Sequence, residues 1–161
     1  QKLRRTIWLS LVAVLRARSE TRPASLLQLL QGQIWRSGYA SGAIHGEVYA
    51  DVPEAFARWT AAGETRRRVC IYSSGSREAQ QLLFRHSCRG DLMPHLSCLF
   101  DTTVGHKNES LSYKQIALSL GVRAPAEVLF LTDVLAEARA AAGAGLQASS
   151  LLRLDNGFNV L

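Results

Sequence analysis

Cysteine is scarce and badly spaced for any cross-linked or zinc-bound scaffold. Cys70, Cys88 and Cys98 form neither an even set nor a C-x-x-C pair, so a reducing compartment and a conventional core are expected. Cys70, inside an apolar run, reads as a small buried hydrophobe. No uninterrupted apolar run approaches the ~20 residues that span a bilayer. Ile7-Trp8-Leu9-Ser10-Leu11-Val12-Ala13-Val14-Leu15 follows the basic Lys2-Leu3-Arg4-Arg5 much as a secretory leader would. A leader needs an initiator, however, and the chain opens on Gln1 with Met93 its sole methionine. A buried helix is therefore expected here. Aromatic residues do not interleave with the basic cluster Arg66-Arg67-Arg68, which argues against nucleic-acid binding. The expected partner is a small anionic molecule, drawn by a net charge of +6, with no membrane contact and a monomeric state.

Repeats and low-complexity linkers are also missing, and 161 residues with 47% hydrophobic side chains suit one domain with a real core. The segment that organises it is Val69-Cys70-Ile71-Tyr72-Ser73-Ser74-Gly75-Ser76. Four apolar or aromatic residues read as a strand buried on both faces. Gly75 then offers a tight turn, Ser74 or Ser76 a helix cap, and Ala79, Leu82, Leu83 and His86 a helical face. Such a turn is either an ordinary strand-to-helix connection or a seat for phosphate at a helix N-terminus.

Before this segment the pattern is helical. One helix follows Pro23 with Leu26, Leu27, Leu29, Leu30 and Ile34, and another opens at Asp51-Val52-Pro53-Glu54 and stops near Gly63. After it, strands and helices alternate. Leu99-Phe100-Asp101 is a short strand, and a helix carries Tyr113, Ile116, Ala117 and Leu120. Val128-Leu129-Phe130-Leu131 is a strand ending in Thr132-Asp133, a helix spans Val134 to Ala142, and Ala148 to Leu152 is the last strand. Alternation of this kind predicts an α/β fold, a doubly wound parallel sheet. Ligands in such sheets sit beyond the carboxyl ends of the strands. Ser73 and Ser74, Lys107, and Asp133 all fall there. Taken singly they read as a cap, a surface lysine and a helix N-cap. Taken together they supply hydroxyls, an ammonium and a carboxylate able to hold Mg²⁺, the equipment of phosphoryl transfer. Gly143-Ala144-Gly145 lies before a strand rather than after one, which excludes a dinucleotide-binding turn.

The residues IYSSGS (71–76), EAQQLLFRHS (78–87), GD (90–91), FDTTVGHK (100–107), LFLTD (129–133) and EA (137–138) resemble the enolase-phosphatase (acireductone synthase) family of the haloacid-dehalogenase-like hydrolases. The likeness extends back through LLQGQIW (29–35) and YADVPEAFARW (49–59), covering roughly residues 25 to 140 in consistent order. It implies a Rossmann-like core with part of a helical cap, divided here as residues 1–45 for the cap remnant and 46–161 for the core. It also implies a Mg²⁺-dependent enzyme of methionine salvage, in cytoplasm and nucleus. Such an enzyme enolises 2,3-diketo-5-methylthiopentyl-1-phosphate and then removes its phosphate. Residue by residue, Ser73 and Ser74 match the substrate-binding serines, Lys107 the catalytic, phosphate-holding lysine, and Asp133 the metal-binding aspartate.

One departure bears on activity. The superfamily's nucleophile lies in an Asp-x-Glu stretch after the first strand, whereas the first fifty residues here contain only Glu20 and Glu47 as acids. The expectation is a core lacking its first strand, with negligible turnover for want of a nucleophile. Asp133 alone would hold Mg²⁺ poorly. Two readings follow: a fragment of an active enzyme, or a shortened non-catalytic binding protein, with another phosphatase of the superfamily as a further alternative. The basic loop 64–68 and Arg153-Leu154-Asp155-Asn156-Gly157 also differ from the family's usual pattern.

Overall fold

The structure, a computed structural model, describes residues 6–9, 24–63 and 66–150, with side chains from residue 32 onward. Five parallel strands lie in the order β3-β2-β1-β4-β5: β1 Thr6–Leu9, β2 Val69–Tyr72, β3 Leu96–Phe100, β4 Val128–Thr132 and β5 Gln147–Ser150. The helices are α1 Ala24–Ala40, α2 Val52–Thr60, α3 Arg77–Arg85, α4 Ser110–Ser119 and α5 Leu135–Gly143.

Side-chain alternation along the strands builds two cores, one on each face of the sheet. Cys70 and Tyr72 of β2 and Val128 and Phe130 of β4 pack with Tyr113, Ile116 and Ala117 of α4 and Ala140 and Ala141 of α5. Val69, Ile71 and Leu131 face the other way, against Val52 and Phe56 of α2 and Phe84 of α3. Buried on both faces, β2 has no polar side, which explains its unbroken apolar run. Cys70 is fully buried within the first cluster, as its sequence context predicts.

The amino-terminal segment departs from expectation. Thr6–Leu9 is not helical: it is the central strand, pairing with β2 (Ile7 opposite Val69, Leu9 opposite Ile71) and with β4 (Leu9 opposite Leu131). The sheet therefore has a strand where a missing one was expected, and residues 6–9 belong to the core rather than to a cap. A continuous apolar run of this length carries no period that separates strand from helix. What decides it is the pair of inner edges on β2 and β4, whose backbone groups need partners. The expectation for residues 10–15, Pro23, and the features at Glu64-Thr65 and 151–157 lie outside the described residues, as do the side chains of Leu26, Leu27, Leu29 and Leu30.

α1 rests on α3. Arg36 pairs with Glu78 at 2.6 Å, and the Tyr39 and His86 rings stack 5.7 Å apart. Among the described residues, no helix is long and apolar enough to cross a membrane.

Candidate functional site

Parallel strands put their carboxyl ends on one rim, and the register levels them: Leu9 lies opposite both Ile71 and Leu131. Ser73 and Ser74 follow β2, Lys107 lies in the 105–109 loop between β3 and α4, and Asp133 follows β4.

The serine turn is tied down from several sides. Ser73 is 7% exposed; its N–H donates to the Phe100 carbonyl (3.0 Å), and its Oγ accepts the Gly75 N–H (3.1 Å). Ser76, not Ser74, caps α3, its Oγ accepting from the Ala79 N–H at 3.2 Å. The buried Gln80 amide donates to the carbonyls of Gly75 (2.9 Å) and Phe100 (3.0 Å). Ser74 is left exposed at the rim. Gly75 does not need glycine's conformational freedom. Its φ is not positive, and a Cβ there would meet Ser73 Oγ at 3.6 Å, an ordinary contact.

Lys107 turns inward. Its side chain is 13% exposed, and Nζ lies 3.5 Å from Glu137 Oε1 and 5.8 Å from the centre of the Tyr72 ring. Glu137, in the first turn of α5, accepts the Thr132 hydroxyl on its other oxygen at 2.8 Å. Thr132 Oγ1 in turn accepts the Val134 N–H at 3.1 Å. Burial pulls the Lys107 ammonium below the usual lysine range, while Glu137 and, less strongly, Asp133 push it back up. Asp133 is thus close enough to act electrostatically on Lys107, and it is itself exposed. The helix N-cap position belongs to Val134 rather than Asp133, which removes the bland alternative for that aspartate.

The structure therefore sets Lys107 within electrostatic reach of Asp133 and places Ser73 and Ser74 on the same rim, two strands from Asp133 across β1. Glu137 is the residue sequence reasoning did not assign. An acid four positions after Asp133, in a helix's first turn, was its available signal. Among the described residues, no group of three or more His, Cys, Asp or Glu converges as a metal site. Asp133 offers one exposed carboxylate, and Glu137 is engaged by Lys107 and Thr132. The described side chains thus do not complete a divalent-cation site. A cavity of ≈ 260 Å³ opens along β3, lined by Arg77, Gln81, Met93 and Leu99.

No family model matches the chain. Among curated proteins it is 56% identical over 135 residues to a probable bifunctional methylthioribulose-1-phosphate dehydratase/enolase-phosphatase E1 of Physcomitrium patens (84% of this chain, 26% of that protein). It is 53% identical over 135 residues to the enolase-phosphatase E1 of Synechococcus elongatus (84% and 55%). Most such relatives are matched over about half their length. Among solved structures, the UTR4 protein of Saccharomyces cerevisiae superposes with a TM-score of 0.69 at 38% identity, covering 80% of this chain and 58% of that one. A HAD-family enzyme of Bacteroides thetaiotaomicron in its magnesium complex gives 0.62 at 12% identity, covering 96% of each, a likeness of fold alone.

Proposed function

From a chain that is, over most of its length, a homologue of the enolase-phosphatases on a haloacid-dehalogenase fold, we propose the phosphate-holding half of an acireductone synthase. The reaction served is enolisation and dephosphorylation of 2,3-diketo-5-methylthiopentyl-1-phosphate in methionine salvage. Ser73 and Ser74 bind the substrate. Lys107 holds its phosphate, and Asp133 is the Mg²⁺ ligand. α1 is what remains of a helical cap over the core.

The observation carrying this reading is the inward-turned Lys107, locked by Glu137 at the rim where the serine turn and Asp133 also end. An ammonium fixed in a partly desolvated hollow stabilises phosphate charge far better than a surface lysine. Mg²⁺, when bound, adds Lewis-acid stabilisation of phosphoryl oxygens. Asp133 alone holds it weakly, because Mg²⁺ in protein sites rests on one or two carboxylates plus substrate phosphate and water.

The residues that follow β1 in sequence, Ser10 to Leu15, contain no carboxylate. Covalent phosphoryl transfer therefore has no nucleophile there, and the loss relative to an intact enzyme is on the order of a millionfold by analogy with other hydrolases. The 161 residues are expected to bind inorganic phosphate, to lose that binding in Lys107→Ala, and to release no phosphate from a monoester in the presence of Mg²⁺. Replacing residues 1–20 by the matching stretch of the Synechococcus elongatus relative is expected to restore both enol formation and phosphate release. Phosphate release without the enol would indicate another phosphatase of the superfamily. Brisk turnover by the unaltered chain, surviving Lys107→Ala, would overturn the proposal.

A further inference from the structure

Three successive backbone carbonyls in the Lys107 loop each accept a hydroxyl from a buried side chain. Gly105 accepts from Tyr72 at 2.8 Å, His106 from Ser112 at 2.8 Å, and Lys107 itself from Tyr113 at 2.7 Å. The donors are 0%, 1% and 1% exposed. Loop carbonyls ordinarily face water. Here an unbroken run of them is turned into the core and held by side chains from two elements, β2 and α4.

The donors are themselves immobilised. The Tyr72 and Tyr113 rings meet edge-on at 5.6 Å, and Tyr113 meets Phe130 of β4 at 4.9 Å. The two tyrosine rings are thereby held by packing within the core, and Ser112 beside Tyr113 is buried. Gly105 has φ +129°, and a Cβ there would collide with Ser112 Oγ. The loop reaches its hydroxyls only because that position is glycine. Beyond the backbone, Lys107 Nζ meets Glu137 Oε1, and the ring of Tyr72 flanks the same ammonium.

We propose that Tyr72, Ser112 and Tyr113 are positioning residues that act together on Lys107, fixing its backbone and so the point in space its ammonium occupies. This rests on the reading of Lys107 as the phosphate-holding group. A lysine side chain has four rotatable bonds. Its terminal charge is reproducibly placed only if the backbone and the tip are both constrained, and misplacement of a polar contact by ~1 Å is enough to cost about a hundredfold in catalysis. Glu137 constrains the tip, and the three hydroxyls constrain the root.

The test measures Lys107 directly, without a ligand. Acetic anhydride at fixed pH acetylates lysines, and mass spectrometry gives the Lys107 to Lys114 ratio; Lys114, exposed on α4, is the internal standard. Tyr113→Phe, Ser112→Ala and Tyr72→Phe are each expected to raise the ratio roughly five- to tenfold, the equivalent of one net hydrogen bond. They are expected to weaken inorganic phosphate binding by a similar factor. Val128→Ala, which loosens the same core from the amino end of β4, away from the three hydroxyls, is expected to lower the melting temperature and leave both readouts unchanged. If one substitution prevents folding, the other two carry the test. An unchanged ratio in folded Tyr113→Phe and Ser112→Ala, or an equal rise in Val128→Ala, would overturn the proposal. A raised ratio with unaltered phosphate affinity would instead uphold the positioning role and sink the phosphate reading of Lys107.

Discussion

Lys107 and Glu137 hold each other in a place neither charge would choose alone. Burial lowers the ammonium's proton affinity and the carboxylate beside it opposes that shift. Glu137→Gln keeps an acceptor for Thr132 but removes the charge facing Lys107. It is expected to cost roughly 1–2 kcal/mol near neutral pH, less than the breaking of a fully buried pair because a tenth of each side chain is still wet. The pH dependence has a definite sign. Lys107's folded pKa lies below the unfolded value of 10.5, so between the two the unfolded chain binds more protons and this site's contribution to stability rises with pH. Urea titrations across that window would show a steeper alkaline gain in Glu137→Gln than in the parent, and none from this site in Lys107→Met. A loss that grows toward alkaline pH would contradict the assignment. Much of this site was legible beforehand, since Ser73, Ser74, Lys107 and Asp133 each follow an apolar run that reads as a strand. Glu137 was not. Its position in the first turn of α5 was readable, but its pairing depends on α5 folding back so that a carboxylate thirty residues downstream meets Lys107, which the local pattern does not encode.

Among the connecting elements, two glycines that look alike in sequence have opposite requirements. Gly75 sits in a turn that suggested glycine's special freedom, yet its backbone is ordinary and has room for a methyl group. Gly105, in a loop that suggested nothing, holds a positive φ against Ser112. Gly75→Ala is expected to change stability by no more than about 0.5 kcal/mol. Gly105→Ala is expected to cost about 2 kcal/mol or more, from backbone strain and the displaced Ser112 hydroxyl. Thermal unfolding of the two variants checks the ordering. The cap of α3 gives a third comparison: Ser76→Ala is expected to lose about 1 kcal/mol, and Ser74→Ala almost nothing, since Ser76 makes the capping bond. Glycine and serine were thus readable as punctuation. Which serine caps depended on where α3 begins, and which glycine is strained depended on the approach of α4 to the loop before it.

Across the whole molecule, β1 is the strand that hydrogen-bonds the two halves of the sheet to each other. β2 and β3 lie on one side of it and β4 and β5 on the other. The cores on either face draw side chains from both β2 and β4. The alternating pattern after Val69 made the parallel sheet legible, but not the occupant of its centre. Thr6–Leu9 is too short to show a period, and what assigns it is the need of two inner edges, which are distant in sequence. Residues 24–161 alone would leave β2 and β4 facing each other across an empty strand position, with rows of N–H and C=O groups unpaired. That truncation is expected to lose the cooperative thermal transition, bind a hydrophobic dye and aggregate, because neither core closes without the centre of the sheet. Trp8→Pro in the full chain tests the same dependence with one residue, since proline removes a ladder donor and is not tolerated within a central strand. Ala148→Pro in the edge strand β5 is the control. It also removes a donor, but it sits where only one neighbour is paired, so a cooperative though lowered transition is expected to survive. If residues 24–161 melted cooperatively at the temperature of the full chain, β1 would not be what holds the two halves of the sheet together.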